Sequence, residues 1–273
     1  MNGRKSISSF PVGAFGFLLS RTGFSITISA MTVGVYGLGR FGRFWAALLA
    51  EQFDVKGYNR TPLQTAPEGV ELVGEKEVLG CEALFLCVSI SSFEEVLRRI
   101  APLLPRGITL LDTCSVKSFP ARVMTRELPA GTRAVATHPM FGPDSAVQGV
   151  AHLPLVISPV GEEGEEYRYW RQVFRDYGMR VLEMDPDEHD HRAAYTQGIT
   201  HFIGRVLGEL DLKPSELGTV GYEKLLEIVQ QTCNDPYRLF LDLQYFNPYT
   251  EEMRRALLGA FHRTLGALED DQS

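Results

Sequence analysis

The sequence predicts an α/β protein with a parallel, doubly wound sheet, followed by an all-helical part. The first observation is that short β-branched runs alternate with helical stretches from Met31 to about residue 185. The second is that the apolar period becomes helical after "DPDEHD" and stays helical to about Leu268. Strands that alternate with helices favour a parallel sheet, because each crossover needs a helix.

The elements follow in a regular order. The predicted strands lie in "TVGVY", "FDVKGYNR", "EALFLCVSI", "GITLLDTCS", "TRAVATHPM", "LPLVISPV" and "GMRVLEM", and "SSFEEVLRRIAPLL" is one of the helices between them. In the helical part, short breaks are expected at "LKPS", "CNDP" and "FNPY". We therefore expect a nucleotide-binding α/β domain at 31–185 and a helical domain at 186–270.

Residues 1–30 form a segment of different character. The segment has no acidic residue, carries Arg4, Lys5 and Arg21, and is rich in serine. The favoured interpretation is that Met31 is the start, which leaves the protein cytoplasmic. The alternative is that the segment is a transit peptide, which would imply a plastid location. In either case we expect an N-terminal extension without stable structure.

Composition excludes several classes of function. The chain has 273 residues and a formal net charge of -7, which offers no basic surface for nucleic acid. After residue 31 no apolar run approaches the roughly 20 residues of a membrane span. The four cysteines show neither a C-x-x-C pair nor metal-ligand spacing, so reduced structural thiols and no metal site are expected.

The turn after the first strand carries the clearest binding motif. "GLGRFG" places Gly37, Gly39 and Gly42 in G-x-G-x-x-G spacing between a strand and a helix, with Arg40 and Phe41 inside the turn. The glycines permit a tight turn and close backbone approach, and the helix N-terminus offers free N–H groups to a pyrophosphate. This context predicts a Rossmann-type dinucleotide site.

The end of the second strand indicates which dinucleotide binds. An NAD site usually has Asp or Glu there, whereas this chain has "YNRT". Arg60 can pair with a 2′-phosphate, and Asn59 and Thr61 can donate hydrogen bonds to it, which favours NADP. If Arg60 instead stacks on adenine, NAD remains possible.

Polar residues stand at the ends of three later strands, where ligands of such sheets bind. They are Ser89, which we predict to contact the cofactor together with Cys87, then Ser115 and Lys117 in "DTCSVK", and His138 in "THPMFGP". Pro139 and the nearby glycine and proline make the histidine segment a stiff turn. A histidine can accept a proton near neutral pH while a hydride departs, so hydride transfer is predicted. Singly, Ser115 could cap a helix, Lys117 could be a solvated residue and His138 a structural one.

From Met31 onward, the chain resembles the prephenate/arogenate dehydrogenases of tyrosine biosynthesis. The resemblance rests on "GLGRFG", "DTCSVK", "THPMFGP", "AAYTQGITHFIGRVLGEL" and "LLEIVQQTCNDPYRLFLDLQYFN", and the helical segments look closest to the plant-like arogenate branch. It implies that His138 contacts the ring 4-hydroxyl and that Ser115 supports it. It also implies a helical domain that dimerises and closes over the substrate, with Lys117 and the pair Gln197 and His201 at the substrate.

One departure from the family bears on the substrate. Many bacterial prephenate enzymes carry an arginine where "LQYFNPY" here has Phe246 and Asn247. Instead, Thr232 and Asp235 of "TCND" match positions of the arogenate-selective enzymes. Asp235 can pair with the ammonium of arogenate, whereas the keto group of prephenate would leave a buried carboxylate unpaired. Alternatively, Asp235 caps a helix that begins at Pro236.

Two rival functions stay open. A β-hydroxyacid or imine reductase also joins such domains but usually uses a lysine on a helix of the second domain, where only Lys213 and Lys224 are candidates. A non-catalytic NADP-binding regulator would not need His138, Ser115 and the Gln197–His201 pair together. The sequence favours NADP-dependent oxidation of arogenate, with prephenate or dual use as the alternative.

Overall fold

Eight strands form one sheet in the computed structural model, which describes residues 31–270. The strands are β1 (Thr32–Tyr36), β2 (Asp54–Tyr58), β3 (Val70–Leu72), β4 (Ala83–Leu86), β5 (Thr109–Asp112), β6 (Arg133–Pro139), β7 (Pro154–Pro159) and β8 (Arg180–Glu183). Their order across the sheet is β3-β2-β1-β4-β5-β6-β7-β8. The expectation for residues 1–30 lies outside the described residues.

The helices occupy the connections and the C-terminal part. Between strands lie α1 (Arg40–Leu49), α2 (Glu75–Val78), α3 (Ile90–Ile100) with a 3-10 turn at Ala101–Leu103, α4 (Ser118–Glu127) and α5 (Glu165–Asp176). After β8 come α6 (Pro186–Ala193), a π-helical turn (Ala194–Gly198), α7 (Ile199–Gly208), α8 (Val220–Asn234), α9 (Tyr237–Phe246) and α10 (Thr250–Asp270). From Pro186 the described chain is helical, with interruptions at the three predicted breaks. None of the described helices is long and apolar enough to cross a bilayer.

The sheet confirms the predicted α/β fold but corrects one pairing. All neighbouring strands among the described residues run parallel except β6 and β7, which are antiparallel. The connection between them, residues 140–153, contains no helix. A parallel neighbour needs a long crossover, usually helical, so this connection returns the chain antiparallel.

Both faces of the sheet are covered, which explains the continuous apolar strands. On β4, Ala83 and Phe85 belong to one buried cluster, and Leu84 and Leu86 belong to the other. The second cluster also contains Leu243 of α9, so the helical part packs against the α/β part.

The strand order reverses at β1, whose neighbours are β2 and β4. This arrangement leaves a crevice beyond the carboxyl ends of these strands, where doubly wound sheets bind ligands. The residues predicted for the cofactor and for proton transfer lie at these ends and at those of β5 and β6, whereas the helical part carries the predicted substrate residues Gln197, His201, Thr232 and Asp235.

Candidate active site

The glycine-rich turn is shaped to receive a pyrophosphate. Gly37 has φ +102° and a Cβ there would lie 2.5 Å from the carbonyl oxygen of Cys87, while a Cβ on Gly42 would overlap the carbonyl oxygen of Gly37. A Cβ on Gly39 would meet no atom within 4 Å, so this position opens outward. The first turn of α1 has no side-chain cap and no acidic residue, so its N–H groups and positive dipole end are available to an anion.

Among the polar residues after β2, Asn59 differs from the prediction, because its side chain is hydrogen-bonded within the protein. Asn59 accepts a hydrogen bond from the Leu38 N–H at 2.9 Å and donates one to the Thr61 carbonyl oxygen at 2.7 Å. Both ends of its amide are therefore used to join the β2 loop to the glycine-rich turn. Arg60 and Thr61 are exposed beside it.

A cavity of about 570 Å³ opens at the carboxyl ends of the strands, between the α/β part and the helices that follow. The predicted site residues that border it are Gly39, Arg40, Phe41, Gly42, Cys87, Ser89, Ser115, His138, Gln197, His201 and Asp235. Those that do not border it are Gly37, Asn59, Arg60, Thr61, Lys117 and Thr232.

His138 is buried at the end of β6 and is the first member of a hydrogen-bonded row. Its Nδ1 lies 2.8 Å from Nε2 of His189, and Nδ1 of His189 lies 2.8 Å from Oδ1 of Asp190. Burial lowers the pKa of His138 well below its ordinary value, and nearby His189 and Lys117 lower it further. His138 is therefore a neutral imidazole at pH 7, able to accept a proton.

Ser115 borders the same cavity, but no hydrogen bond joins it to His138 in the described part of the chain. The ring nitrogen partner of His138 is His189 instead. Ser115 does not cap α4 either, because the residue at that N-cap is Lys117. The hydrogen-bond partner of His138 thus lies on α6, and the supporting role that the resemblance gives Ser115 stays a prediction.

Lys117 was expected to face the substrate, and this placement is wrong. Its side chain is fully buried, and the ammonium donates to the Asp112 carboxylate and to the Thr137 carbonyl oxygen. Asp112 also accepts the backbone N–H groups of Cys114 (2.9 Å) and Thr137 (3.0 Å). A buried ammonium requires such a set of acceptors, so Lys117 ties the ends of β5 and β6 together.

Thr232 is also absent from the cavity, contrary to prediction. Its hydroxyl donates to the Ile228 carbonyl oxygen at 2.8 Å, and its side chain occupies the space that a Cβ on Gly204 would need. Thr232 therefore packs α8 against α7.

Gln197 and His201 border the cavity with unused polar atoms. Oε1 of Gln197 and Nδ1 of His201 are buried and have no hydrogen-bond partner among the described residues. Burial lowers the pKa of His201 to about 4, with a further contribution from Arg205, so the ring is neutral at pH 7. Buried unpaired polar atoms beside a cavity are typical of a ligand or water site.

Asp235 joins the helices to the glycine-rich turn. Its Oδ1 lies 3.3 Å from Nη1 of Arg40, which also pairs with Asp144, and its Oδ2 lies 3.9 Å from Nε2 of His201. Because His201 is neutral, only the Arg40 contact is an ion pair. The proposed helix cap is wrong: α9 begins at Tyr237, and its N-cap residue is Pro236, without a side-chain cap. Burial raises the pKa of Asp235, and Arg40 opposes that rise.

Several site residues were missed from the sequence. His189 and Asp190 were part of a stretch that only marked the end of the α/β part. Arg238 borders the cavity with its Nε 2.8 Å from Oδ1 of Asp242, which borders it too. The rival lysines, Lys213 and Lys224, do not border it. The described residues contain no cluster of metal-ligating side chains.

Comparison with known proteins assigns the family. Residues 54–183 match the model of the prephenate dehydrogenase nucleotide-binding domain, and residues 206–273 match that of the TYRAAT1-like C-terminal domain. The chain is 33% identical over 246 residues to arogenate dehydrogenase 2, chloroplastic, of Arabidopsis thaliana, a match that covers 85% of this chain and 68% of that protein. This chain belongs to the prephenate/arogenate dehydrogenase family.

Further comparisons give the same family and the same fold. This chain is 34% identical to arogenate dehydrogenase 1, chloroplastic, of Arabidopsis thaliana over 85% of its length, but it spans only 38% of that relative. Its fold is that of the prephenate dehydrogenase of A. aeolicus (18% identity, TM-score 0.66, 89% of this chain and 91% of the other). It is also that of Synechocystis arogenate dehydrogenase (17% identity, TM-score 0.65, 89% and 93%).

Proposed function

We propose that this family member oxidises and decarboxylates arogenate to tyrosine with NADP⁺. The observation that carries the proposal is that His138, neutral and buried, borders the same cavity as the glycine-rich turn. A proton acceptor and a dinucleotide cradle on one cavity provide the two groups that oxidation of an alcohol carbon requires. The names of the Arabidopsis relatives support the substrate class.

His138 is the chemical centre of this proposal. The substrate ring carries a hydroxyl on the carbon that gives up hydride and a carboxylate on the opposite carbon. His138 accepts the hydroxyl proton, which raises the electron density on the hydroxyl oxygen and so drives hydride from the ring carbon. A bound nicotinamide supplies the hydride acceptor. Once CO₂ has left, the aromatic ring holds a phenolate oxygen, to which His138 can return the proton.

The cavity also offers groups of the right charge for the rest of the substrate. Arg40 and Arg238 border it as cations that can bind carboxylates, and Asp235 can bind the side-chain ammonium of arogenate. Prephenate has a keto group in place of that ammonium, and a half-buried carboxylate opposite a keto oxygen is unfavourable. Asp235 therefore favours arogenate over prephenate.

The preference for NADP rests on the residues after β2. Tyr58 to Thr61 contain no carboxylate that would bind a ribose diol and repel a phosphate. Arg60 is exposed directly after β2, and its guanidinium can bind a 2′-phosphate bidentately. With Asn59 used in the loop, Arg60 and Thr61 are the remaining donors.

We also propose a homodimer formed through the helical part. On α10, Leu258, Phe261, Leu265 and Leu268 are all about half or more exposed, and their spacing places them on one side of the helix. Such a stripe is typical of a helix that packs against a partner. Sedimentation equilibrium should give about twice the 30.5 kDa mass of the chain.

The reaction class can be tested by stoichiometry. Purified protein is incubated with NADP⁺ and arogenate, prephenate or a panel of β-hydroxyacids, and both NADPH and CO₂ are measured. Equal amounts of NADPH and CO₂ from a cyclohexadienol support the proposal. NADPH without CO₂ from a hydroxyacid would indicate the rival reductase function, and no turnover of any compound would favour a regulator.

A further inference from the structure

We infer that His189 and Asp190 are positioning residues that hold His138 in the tautomer with a hydrogen on Nδ1 and a bare Nε2. The inference rests on the proposed role of His138 as proton acceptor. It starts from three side chains in one buried row: His138 is 1% exposed, His189 1% and Asp190 0%. The row joins His138 of β6 to His189 of α6, 51 residues further along the sequence.

The Asp190 end of the row determines which atoms donate and which atoms accept in its hydrogen bonds. Oδ1 of Asp190 accepts the backbone N–H of Lys117 at 2.7 Å, and Oδ2 accepts that of Ser118 at 2.9 Å. These N–H groups open α4, so Asp190 also faces the positive end of that helix. Burial raises the pKa of Asp190, but the hydrogen bonds from His189 and from Lys117 outweigh it and keep that pKa below its ordinary value. Asp190 is therefore an ionised acceptor.

Because Asp190 can only accept, it determines the tautomer of His189, and His189 in turn determines that of His138. An ionised carboxylate cannot donate, so Nδ1 of His189 must carry the hydrogen in the 2.8 Å contact. A neutral His189 then has a bare Nε2, which can only accept. Nδ1 of His138 must donate to it at 2.8 Å, and the remaining nitrogen of His138, Nε2, is left with its lone pair. His138 borders the cavity, so this lone pair is the one available to a substrate hydroxyl.

The same row supports His138 after it has taken a proton. An imidazolium buried beside the Lys117 ammonium would be unfavourable, because both are buried cations. The charged groups around the row are Lys117, its partner Asp112, and Asp190. Asp112 is already paired with Lys117, so Asp190 is the counter-charge that remains for the histidines. His189 connects that charge to His138.

The tautomer claim can be tested without any substrate. In ¹⁵N-histidine-labelled wild-type protein at pH 7.5, long-range ¹H–¹⁵N correlation spectra distinguish the two neutral tautomers, and the signals are assigned with His138→Asn and His189→Gln. We expect both His138 and His189 to be neutral with the hydrogen on Nδ1. A hydrogen on Nε2 of His138 would overturn the inference, whatever the protein's substrate.

Kinetics with two variants of His189 test the positioning role. His189→Leu removes the acceptor for Nδ1, and kcat should fall by about 10²-fold with little change in KM. His189→Gln keeps an acceptor oxygen at about the same reach, so it should recover most of that loss. His191→Gln, an exposed histidine on the same helix, is the matched control and should behave as wild type. Equal loss in both His189 variants would mean that His189 only fills space.

Discussion

Replacing Asp235 by Asn should shift the substrate preference from arogenate toward prephenate. The Asp235 side chain is 24% exposed and lies 3.3 Å from a guanidinium nitrogen of Arg40. At an effective dielectric constant of about 20, two unit charges at this separation interact by about 5 kcal/mol. A substrate ammonium gains a similar amount only by displacing Arg40, and partial exposure screens both contacts. The net preference for arogenate is therefore about 1–3 kcal/mol.

This free energy corresponds to a change of about 5- to 150-fold in the ratio of the two kcat/KM values. The amide of Asn cannot match the ammonium with a full charge, but it can donate a hydrogen bond to the keto oxygen of prephenate. Steady-state rates of NADPH formation with both substrates measure the ratio in wild type and variant.

Asp144→Asn is the matched control for this experiment. Asp144 pairs with Arg40 as Asp235 does, but it does not border the cavity. If release of Arg40 caused the effect, both variants would show it, whereas an ammonium contact confines it to Asp235→Asn. A parallel loss of both activities in Asp235→Asn, with an unchanged ratio, would refute the electrostatic reasoning.

Three further predictions concern other parts of the site. His138→Asn should lower kcat by about 10²-fold or more with little change in NADP⁺ affinity. The acid limb of the wild-type kcat/KM profile should lie below pH 6.5, because burial keeps His138 neutral to lower pH. Near-normal turnover of the variant, or an acid limb above pH 6.5, would argue against His138 as the base. Arg60→Ala should weaken NADP⁺ binding much more than NAD⁺ binding by titration, since only NADP⁺ presents a phosphate, and equal losses would mean that Arg60 stacks on adenine. Lys117→Met should leave the buried Asp112 without its cationic partner and lower the free energy of unfolding by about 3–5 kcal/mol, or the Tm by roughly 6–20 °C. Lys213→Met, at an exposed lysine, should have almost no effect. A normal Tm in Lys117→Met would contradict the buried pair.

Local motifs explain what could be predicted from the sequence. The glycine-rich turn depends on backbone conformation within six residues, so its spacing alone indicated the fold of β1, the turn and α1. His138 could be placed because it ends a strand and because strand ends in such a sheet converge.

Side-chain direction explains most of the errors. Lys117 follows Ser115 by two residues, yet its side chain is buried against Asp112, and sequence spacing does not reveal which way a loop residue points. Thr232 lies on the same helix end as Asp235 but on the side that packs against Gly204. The antiparallel β7 had a usable signal, since residues 140–153 hold no helical pattern.

Long-range pairing explains the missed residues. The sequence gives no local sign that His189 meets His138 or that Asp190 receives the first N–H groups of α4. The adjacent histidine and aspartate in "DEHDH" were a weak signal, because such a polar stretch also suits a solvated helix start. Only the contacts of α6 with β6 and with the start of α4 distinguish the two.

Initial rates of NADPH formation by the wild-type protein with arogenate and with prephenate test the proposed reaction most directly, with tyrosine identified as the product from arogenate. If Asp235 binds the ammonium of arogenate, kcat/KM is higher for arogenate than for prephenate, and tyrosine forms in step with NADPH. A higher kcat/KM for prephenate would contradict the role given to Asp235, and no NADPH from either compound would contradict the proposed reaction itself.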